Sequence, residues 1–232
     1  AVNGTEPYIG LNAKNLRALA NIGTSDTCLF LVRNNYPANS IREIKDKKMA
    51  IKLLTTGKAS TPALGTHRIL AEYGMTPEDI KKWGGSISYM NYSDATQLIA
   101  DGHADGIVAP IVPAIIELYK TVELKMLPLE AGVLEKLVSK YGYSKSVMKK
   151  DSYPWIKKDV PIIGEPNILL VNASIPDEIA YKITKLVCEK PDLIRSWGSH
   201  HAKFNPEDAY INVGGLLHPG SAKYFKENGY IK

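Results

Sequence analysis

Small polar residues collect at four places where a predicted strand gives way to a loop or a helix. The candidate ligand-binding residues at these places are Thr56, Gly57, Lys58, Ser60, Thr61, Asn91, Tyr92, Ala109, Pro110, Glu165 and Asn167. The four places offer hydroxyl, amide and backbone N–H groups, one aromatic ring and one fixed cation, the ammonium group of Lys58. This mixture suits the orientation of a small polar or anionic ligand better than it suits bond breaking.

Catalytic and metal-binding sets are not indicated by the spacing of titratable residues. The five histidines are His67, His103, His200, His201 and His218. None of them stands in an HExxH motif or has a partner at zinc-binding spacing, and the serines lack the GxSxG pattern of a nucleophile elbow. The acidic pairs at 78–79 and 177–178 fall at predicted helix starts, where they favour the helix dipole. We therefore predict a protein that is not an enzyme and that holds neither a cofactor nor a metal.

The first of the four places lies in the segment from Met49 to Gly74, which is predicted to form a strand, a loop and a helix in succession. A strand is predicted from Met49 to Leu54, and Thr61 is predicted to cap a helix that has proline in its first turn. The predicted apolar face of that helix consists of Ala63, Leu64, His67, Leu70 and Ala71. A helix N-terminus carries unpaired N–H groups and a partial positive charge, so it accepts a carboxylate or a phosphate. An ordinary capped helix is the alternative interpretation.

The length, composition and net charge of the chain exclude several classes of protein. The chain has 232 residues, 44% of them hydrophobic and 23% charged, with a net charge of +5. The basic residues are spread along the chain rather than clustered, which argues against a nucleic-acid groove. No run reaches the roughly 18 apolar residues of a membrane span, and the first residues do not form a signal peptide, so we expect the chain to be soluble, intracellular or already processed. Cys28 and Cys188 are predicted to be free buried thiols, with a disulfide between them as the alternative.

The order of the predicted elements indicates an α/β fold. Strands and helices alternate from 49 to about 141, which favours right-handed βαβ units around a mostly parallel sheet. The apolar run 27–32 predicts a strand buried on both faces, as in a parallel sheet. Residues 1–26 and 142–160 are interpreted as mostly loop, and two strands are predicted on either side of residues 165–167. Further predicted elements are a strand at 87–90, a helix at 95–101 with Ser93 and Asp94 as candidate caps, a helix at 131–141, a helix that begins with a capping Ser174, and a helix at 219–228. Gly74 and Gly229 are predicted helix stops. The predicted domains are 1–46 with 161–232, and 47–160.

Several segments resemble the solute-binding receptors of TRAP transporters of the TAXI family, the immunogenic-protein type, over essentially the whole chain. The segments that carry the resemblance are NLRALANIG, CLFLVRNN, IREIKDKKMAI, THRILAEYGMTPEDI, YMNYSDATQLIADGHADGIVA, LKMLPL, ILLVNASIPDEIAYKITKLVCEKPDLI and LHPGSAKYFKENG. The resemblance implies a two-lobe periplasmic binding protein fold of type II, hinged about crossover strands. It also implies a periplasmic or extracytoplasmic location and capture of a small anionic ligand, a dicarboxylate or an amino acid such as glutamate. The ligand would be handed to the membrane permease subunits of a TRAP transporter, with no nucleic acid involved.

Two departures from the family pattern bear on the site. The glycine-rich family loop, of the form PGSGTE, is replaced by LLTTGKASTP, to which Gly57 and Ser60 match only loosely. The first βα units and the signal peptide of such receptors have no counterpart in the chain, so the first lobe is expected to be incomplete. An enzyme or a ligand-sensing effector domain on the same fold is one alternative, with His67, Lys58 or Asp105 lining the cleft. A surface antigen that binds no metabolite is another.

Overall fold

The computed structural model describes residues 13–58, 60–198 and 200–231, and these residues form two compact units. Residues 26–164 form one unit, which we call the continuous unit. Residues 13–25 and 165–231 form the other, which we call the discontinuous unit. The predicted boundaries at 46/47 and 160/161 therefore differ from the division seen in the structure, by about 20 residues at the first boundary and by a few at the second.

The chain alternates strands and helices along most of its length. In chain order the elements are β1 (Leu16–Ser25), β2 (Leu29–Arg33), α1 (Ile41–Asp46), β3 (Lys52–Thr55), α2 (Thr61–Glu72), α3 (Pro77–Lys82), β4 (Ser86–Tyr89), α4 (Tyr92–Ala100), β5 (Gly106–Ala109), α5 (Pro113–Tyr119), β6 (Leu124–Met126), α6 (Ala131–Tyr141), β7 (Ser144–Met148), β8 (Val160–Asn172), α7 (Asp177–Glu189), α8 (Pro191–Ser196), a 3-10 helix (Pro206–Asp208) and α9 (Pro219–Glu227). No helix in the described part of the chain is long and apolar enough to cross a lipid bilayer.

A five-stranded sheet forms the centre of the continuous unit, with the strand order β4-β3-β5-β2-β6. Strand β3 runs parallel to β4 and to β5, whereas β2 runs antiparallel to both β5 and β6. The prediction of a buried strand at 27–32 is confirmed, but the parallel direction predicted for it is wrong. A strand buried on both faces must be apolar whichever way it runs, so its composition does not determine its direction. The pairing of β2 also explains why residues 27–46 belong to the continuous unit.

Both faces of this sheet carry an apolar layer, and β2 contributes to each. Phe30 and Val32 point into one buried cluster, while Leu29 and Leu31 point into the other. This alternation follows from the two-residue period of a β-strand. The sheet is therefore held from both sides, and the ends of its strands are left as the places where polar groups can face a ligand.

Three segments predicted as loops are strands in the structure. Strand β1 covers residues 16–25, β7 lies within 142–160, and β8 runs without interruption through residues 165–167. Pro166 is tolerated in β8 because it lies beside a register shift in the facing strand β1, between Asn21 and Thr24. The predicted loops are therefore wrong where these strands lie, whereas residues 149–159 form neither helix nor strand, as predicted. Residues 1–12 lie outside the described part of the chain.

The discontinuous unit is built from β1, the second half of β8 and the C-terminal helices. Strand β1 pairs antiparallel with residues 165–172 of β8, and Ala20 of β1 belongs to the same buried cluster as Cys188 and Phe225. Helix α7 begins after Pro176 without a side-chain cap, so the capping serine predicted at position 174 is wrong. Helix α9 begins at Pro219, and Gly229 follows it with a positive φ of 74°, as the sequence predicts.

Candidate functional site

The carboxyl ends of β3, β4 and β5 lie at one end of the five-stranded sheet. Thr55 at the end of β3 pairs with Tyr89 at the end of β4, and Ala109 at the end of β5 pairs with Leu29 at the start of β2. The residues that follow these strands therefore share one surface. We call residues 56–61, 89–92 and 109–112, without residue 59, the strand-end face. Open α/β sheets bind ligands beyond the carboxyl ends of their strands.

A chain of hydroxyl groups crosses the loop between β3 and α2. The Ser60 hydroxyl oxygen accepts a hydrogen bond from the Ala63 N–H at 3.3 Å and lies 2.5 Å from the Thr56 hydroxyl oxygen. Ser60 is therefore the N-cap of α2, and the prediction that Thr61 caps the helix is wrong by one residue. Thr61 is the first helical residue, and its side chain is exposed.

Helix α2 is fixed to the sheet by buried threonines. The Thr66 hydroxyl donates to the Pro62 carbonyl at 2.7 Å and contacts the Thr55 hydroxyl at 3.4 Å, and Thr55 in turn donates to the Val108 carbonyl at 3.3 Å. Because both hydroxyl groups are buried and bonded, they hold the first turn of α2 against the ends of β3 and β5.

The buried face of α2 differs from the predicted one. Of the five predicted residues only Ala63 and Leu70 are buried, and Ala71 is exposed. The buried face also includes Thr66 and Ile69. The prediction relied on apolar periodicity, and a threonine that satisfies its hydroxyl on the helix backbone can occupy a core position that this periodicity does not reveal.

Asn91 caps α4 with both of its polar side-chain atoms. Its Oδ1 accepts from the Asp94 N–H at 2.9 Å, and its Nδ2 donates to the Asp94 carboxylate at 2.9 Å. The predicted capping by Ser93 and Asp94 is therefore wrong. Since the Asn91 amide group is engaged in the cap, a ligand at this position would meet the backbone first.

Tyr92 connects the loop after β4 with the loop after β3. Its side chain is half-buried, and burial raises the pKa of its hydroxyl, while a hydrogen bond from Thr56 acts in the opposite direction. Either oxygen of the 2.5 Å contact between Thr56 and Ser60 can be the donor. Ser60, Thr56 and Tyr92 form a chain of three hydroxyl groups joined by two contacts, and each group carries one hydrogen. One of the three hydrogens is therefore not used within the chain.

Lys58, Tyr89 and His67 form a cluster at the edge of the strand-end face. The Lys58 ammonium group lies 5.6 Å from the centroid of the Tyr89 ring, and the Tyr89 hydroxyl lies 2.6 Å from His67 Nε2. Burial raises the pKa of Tyr89 and lowers that of His67. The sequence singles out Lys58 and predicts that His67 lies on the apolar face of the helix. Tyr89 was missed, although its position at the end of a predicted strand was a signal that could have found it.

The remaining predicted ligand-binding residues offer fewer polar groups to the strand-end face. Ala109 is buried in the sheet, and Pro110 is half-buried and has no N–H group. Glu165 and Asn167 belong to the discontinuous unit and lie in the middle of β8, so their predicted placement in a loop is wrong. The Asn167 amide oxygen accepts a hydrogen bond from the Ser25 hydroxyl at 3.0 Å.

The groups that an enzyme would need are not gathered on this face. Asp105 precedes β5 at the opposite end of the strand from Ala109, and its carboxylate accepts from the Lys52 N–H at 2.7 Å, so it has a structural role. Within the described residues no three His, Cys, Asp or Glu side chains form a group that could hold a metal ion. The arrangement can donate hydrogen bonds and place one ammonium group beside a ligand.

Comparisons with known proteins identify both the fold and the family. The chain is similar to a TctC solute-binding protein from Polaromonas, with 13% identity and a TM-score of 0.51, over 97% of this chain and 73% of that chain. It is also similar to the periplasmic aliphatic sulphonate binding protein SsuA from Escherichia coli, with 13% identity and a TM-score of 0.46, over 91% of this chain and 59% of that chain. A TRAP periplasmic solute-binding protein from Sulfitobacter, solved with bound beta-D-galacturonate, has 14% identity and a TM-score of 0.38, over 94% of this chain and 59% of that chain.

The chain therefore spans less than two thirds of the length of the last two proteins. Its fold is the two-lobe α/β fold of periplasmic binding proteins, as the sequence predicts. The NMT1-like family matches residues 1–229, which is nearly the whole sequence. The chain belongs to the NMT1-like family.

Proposed function

We propose that this protein is a periplasmic or extracytoplasmic solute-binding receptor that captures a small anionic ligand for a membrane transporter. The strand-end face of the continuous unit contributes part of the binding site. Family membership and the fold shared with a solute-binding protein support the receptor role. The resemblance to the TAXI family supports a TRAP-type permease as the partner, and a dicarboxylate or an amino acid such as glutamate as the solute.

The observation that carries the anionic character of the ligand is the chain of hydroxyl groups formed by Ser60, Thr56 and Tyr92. Two contacts join the three groups, so one hydroxyl hydrogen is left over for a ligand, and hydrogen bonding along the chain polarises that group. A carboxylate oxygen accepts such a bond better than a neutral oxygen does. Lys58 adds a positive charge on the same face.

The N-terminus of α2 adds a weaker contribution than the sequence suggests. The Ser60 N–H donates to the Gly57 carbonyl and the Ala63 N–H donates to the Ser60 hydroxyl, while Pro62 has no N–H. In the first turn the Thr61 N–H is left without a partner among the described residues. An anion would therefore meet one backbone donor and the helix dipole there, in addition to the side chains.

Calorimetric titration tests the proposal. We expect the protein to bind at least one member of a panel of amino and keto dicarboxylates that includes glutamate and 2-oxoglutarate. Replacing Tyr92→Phe or Lys58→Gln should weaken binding by about tenfold, the effect of losing one charge-assisted hydrogen bond. The control is Lys52→Gln, because Lys52 is an exposed lysine at the opposite end of the same strand β3.

Two results would contradict the proposal. One is the absence of binding across the panel by protein shown to be folded by circular dichroism. The other is that the Tyr92→Phe and Lys58→Gln variants bind the ligand as tightly as the Lys52→Gln control does, since the ligand would then be held by other groups.

A further inference from the structure

A cavity of about 440 Å³ opens in the continuous unit at the far end of the sheet from the strand-end face. Its lining includes Asn34, which follows β2, and Leu124, which pairs with Arg33 at the end of β2. The strand-end face lies at the start of β2, where Leu29 pairs with Ala109. Four residues of β-strand separate Leu29 from Arg33, a distance of about 13 Å. The cavity and the proposed solute site are therefore separate places.

One wall of the cavity is apolar. It is formed by Leu124 and Met126 of β6 together with Trp155, Ile156 and Val160. Trp155 packs against two tyrosines, with ring centroids 4.4 Å from Tyr119 and 5.0 Å from Tyr153. This wall is continuous with the buried cluster on one face of the sheet, so it presents a fixed surface to the apolar part of a bound molecule.

The indole N–H of Trp155 is unsatisfied. Its nitrogen is buried and has no hydrogen-bond partner among the described residues. A buried donor without an acceptor is destabilising, and most buried donors in proteins have one. Trp155 lines the cavity, and an acceptor oxygen of a bound molecule can supply the missing partner once the side chains that cover the nitrogen move aside.

The polar part of the lining is positively charged. Lys125, Lys157 and Lys158 contribute three ammonium groups, and Glu123 contributes one carboxylate. Lys125 is engaged, since its ammonium group donates to the Tyr36 carbonyl at 2.7 Å. Lys157 and Lys158 are exposed and make no ion pair with any described residue. Cations beside an apolar wall attract a molecule that has an apolar body and one acidic group.

We propose that this cavity is a second binding site, specific for small organic acids with a flat apolar body and a single carboxylate. The apolar body lies against Leu124, Met126 and Trp155. The carboxylate lies beside Lys157 and Lys158 and accepts the hydrogen bond of the Trp155 indole. A volume of about 440 Å³ is within the range of small-molecule sites. This inference does not depend on the solute site of the strand-end face.

Fluorine NMR of protein labelled with fluorotryptophan tests the second site. The chain has three tryptophans, at positions 83, 155 and 197, whose signals can be assigned with single Trp→Phe variants. Phenylacetate is the probe, and phenylethanol is its uncharged analogue. We expect phenylacetate to shift the Trp155 signal in a saturable way, with a dissociation constant of about 1 mM or below. The Trp83 and Trp197 signals should stay in place.

The contribution of charge is tested with variants on the protein surface, which should all fold. Lys157→Gln combined with Lys158→Gln should weaken phenylacetate binding by about fivefold. The control is Lys81→Gln with Lys82→Gln, an adjacent exposed pair in the same unit. An unchanged Trp155 signal at saturating phenylacetate would overturn the proposal. So would equal affinity for phenylethanol, or equal binding by the two double variants. Lys58→Gln should leave phenylacetate binding unchanged, which separates this test from that of the solute site.

Discussion

Gly65 of α2 lies directly against Cys28, the residue before β2. A Cβ atom at position 65 would overlap the Cys28 Sγ and lie 3.1 Å from its Cβ. Gly65 is buried within a helix, where glycine is normally unfavourable. The absence of a side chain at position 65 therefore allows α2 to lie close to the start of β2, beside the strand-end face.

Gly65→Ala should destabilise the protein by about 1–3 kcal/mol because the new methyl group meets the Cys28 side chain. Alanine in a helix interior otherwise stabilises by about 1 kcal/mol relative to glycine. Gly132→Ala in α6 is the matched control, since no described atom lies within 4 Å of its new Cβ, and it should stabilise the protein. Urea denaturation measures the free energy of unfolding of both variants. Equal stability of the two variants would show that the contact with Cys28 is not restrictive.

Adding Cys28→Ala to Gly65→Ala should recover part of the lost stability. The Sγ atom is then removed, but the Cβ of residue 28 remains 3.1 Å away, which is still close. If the double variant is more stable than the sum of the two single changes in unfolding free energy predicts, direct contact is identified as the cause. Simple additivity of the two substitutions would contradict this explanation.

Ser60→Ala should destabilise the protein by about 1 kcal/mol, because it removes the side-chain cap of α2 and the partner of the Thr56 hydroxyl. Thr61→Ala changes an exposed residue with no part in the cap, and its effect should be within about 0.5 kcal/mol. Comparing the two free energies of unfolding distinguishes the cap in the structure from the cap that the sequence suggests. A larger loss for Thr61→Ala would favour the latter.

The stability of the protein should depend on pH through His67. Burial lowers the pKa of His67 in the folded protein, and the charge of Glu78 opposes this only partly. An unfolded histidine binds a proton near pH 6.5. Between the folded and unfolded pKa values the unfolded chain therefore binds more protons, so stability rises with pH. The contribution is complete above about pH 6.5 and is lost as the pH falls through the folded pKa.

His67→Gln keeps a polar side chain next to Tyr89 but cannot titrate. Urea midpoints measured from about pH 5 to pH 7.5 should vary less with pH in this variant than in the wild-type protein. His103→Gln, at an exposed histidine, is the control and should show the wild-type dependence. An unchanged or steeper slope in His67→Gln would refute the role assigned to His67.

Neither cysteine should react with Ellman's reagent in the native protein. Burial, together with the charge of Glu189, raises the pKa of the Cys188 thiol to about 12, and Cys28 is only 2% exposed. The thiolate is the reactive form, so both thiols should stay unmodified until guanidinium unfolds the chain. After unfolding, both thiols should react with the reagent. The control Ser139→Cys, at an exposed position of α6, should react at once, and rapid native reaction of the wild-type protein would contradict the buried placement.

Elements with local start and stop signals could be predicted from the sequence. Helix α6 has the predicted bounds, and Gly74 has the predicted positive φ, 72°. Strand β1 could not be predicted, and β8 is predicted only as two strands on either side of residues 165–167, because the pairing of β1 with β8 joins residues that are far apart in the chain. In residues 165–167 the proline and asparagine suggest a turn, and a facing strand with a register shift overrides that local preference.

The loops of the strand-end face could be predicted, but their internal contacts could not. The sequence identifies Thr56, Ser60 and Tyr92 as separate polar residues after two strands. That their hydroxyl groups form one chain depends on the register between β3 and β4. The contact between His67 and Tyr89 likewise joins a helix to a strand 22 residues away. Neither contact follows from residue type or spacing.

The place of β2 between β5 and β6 bears on how the polypeptide folds as it leaves the ribosome. Strand β2 is synthesised early, but both of its partners in the sheet are synthesised much later. Until β5 emerges, the apolar segment Leu29–Arg33 has no backbone partner in the nascent chain. Such a segment is prone to aggregation and is the kind of sequence that chaperones bind. Translation through residue 109 is therefore the earliest point at which β2 can pair with β5, the neighbour synthesised first.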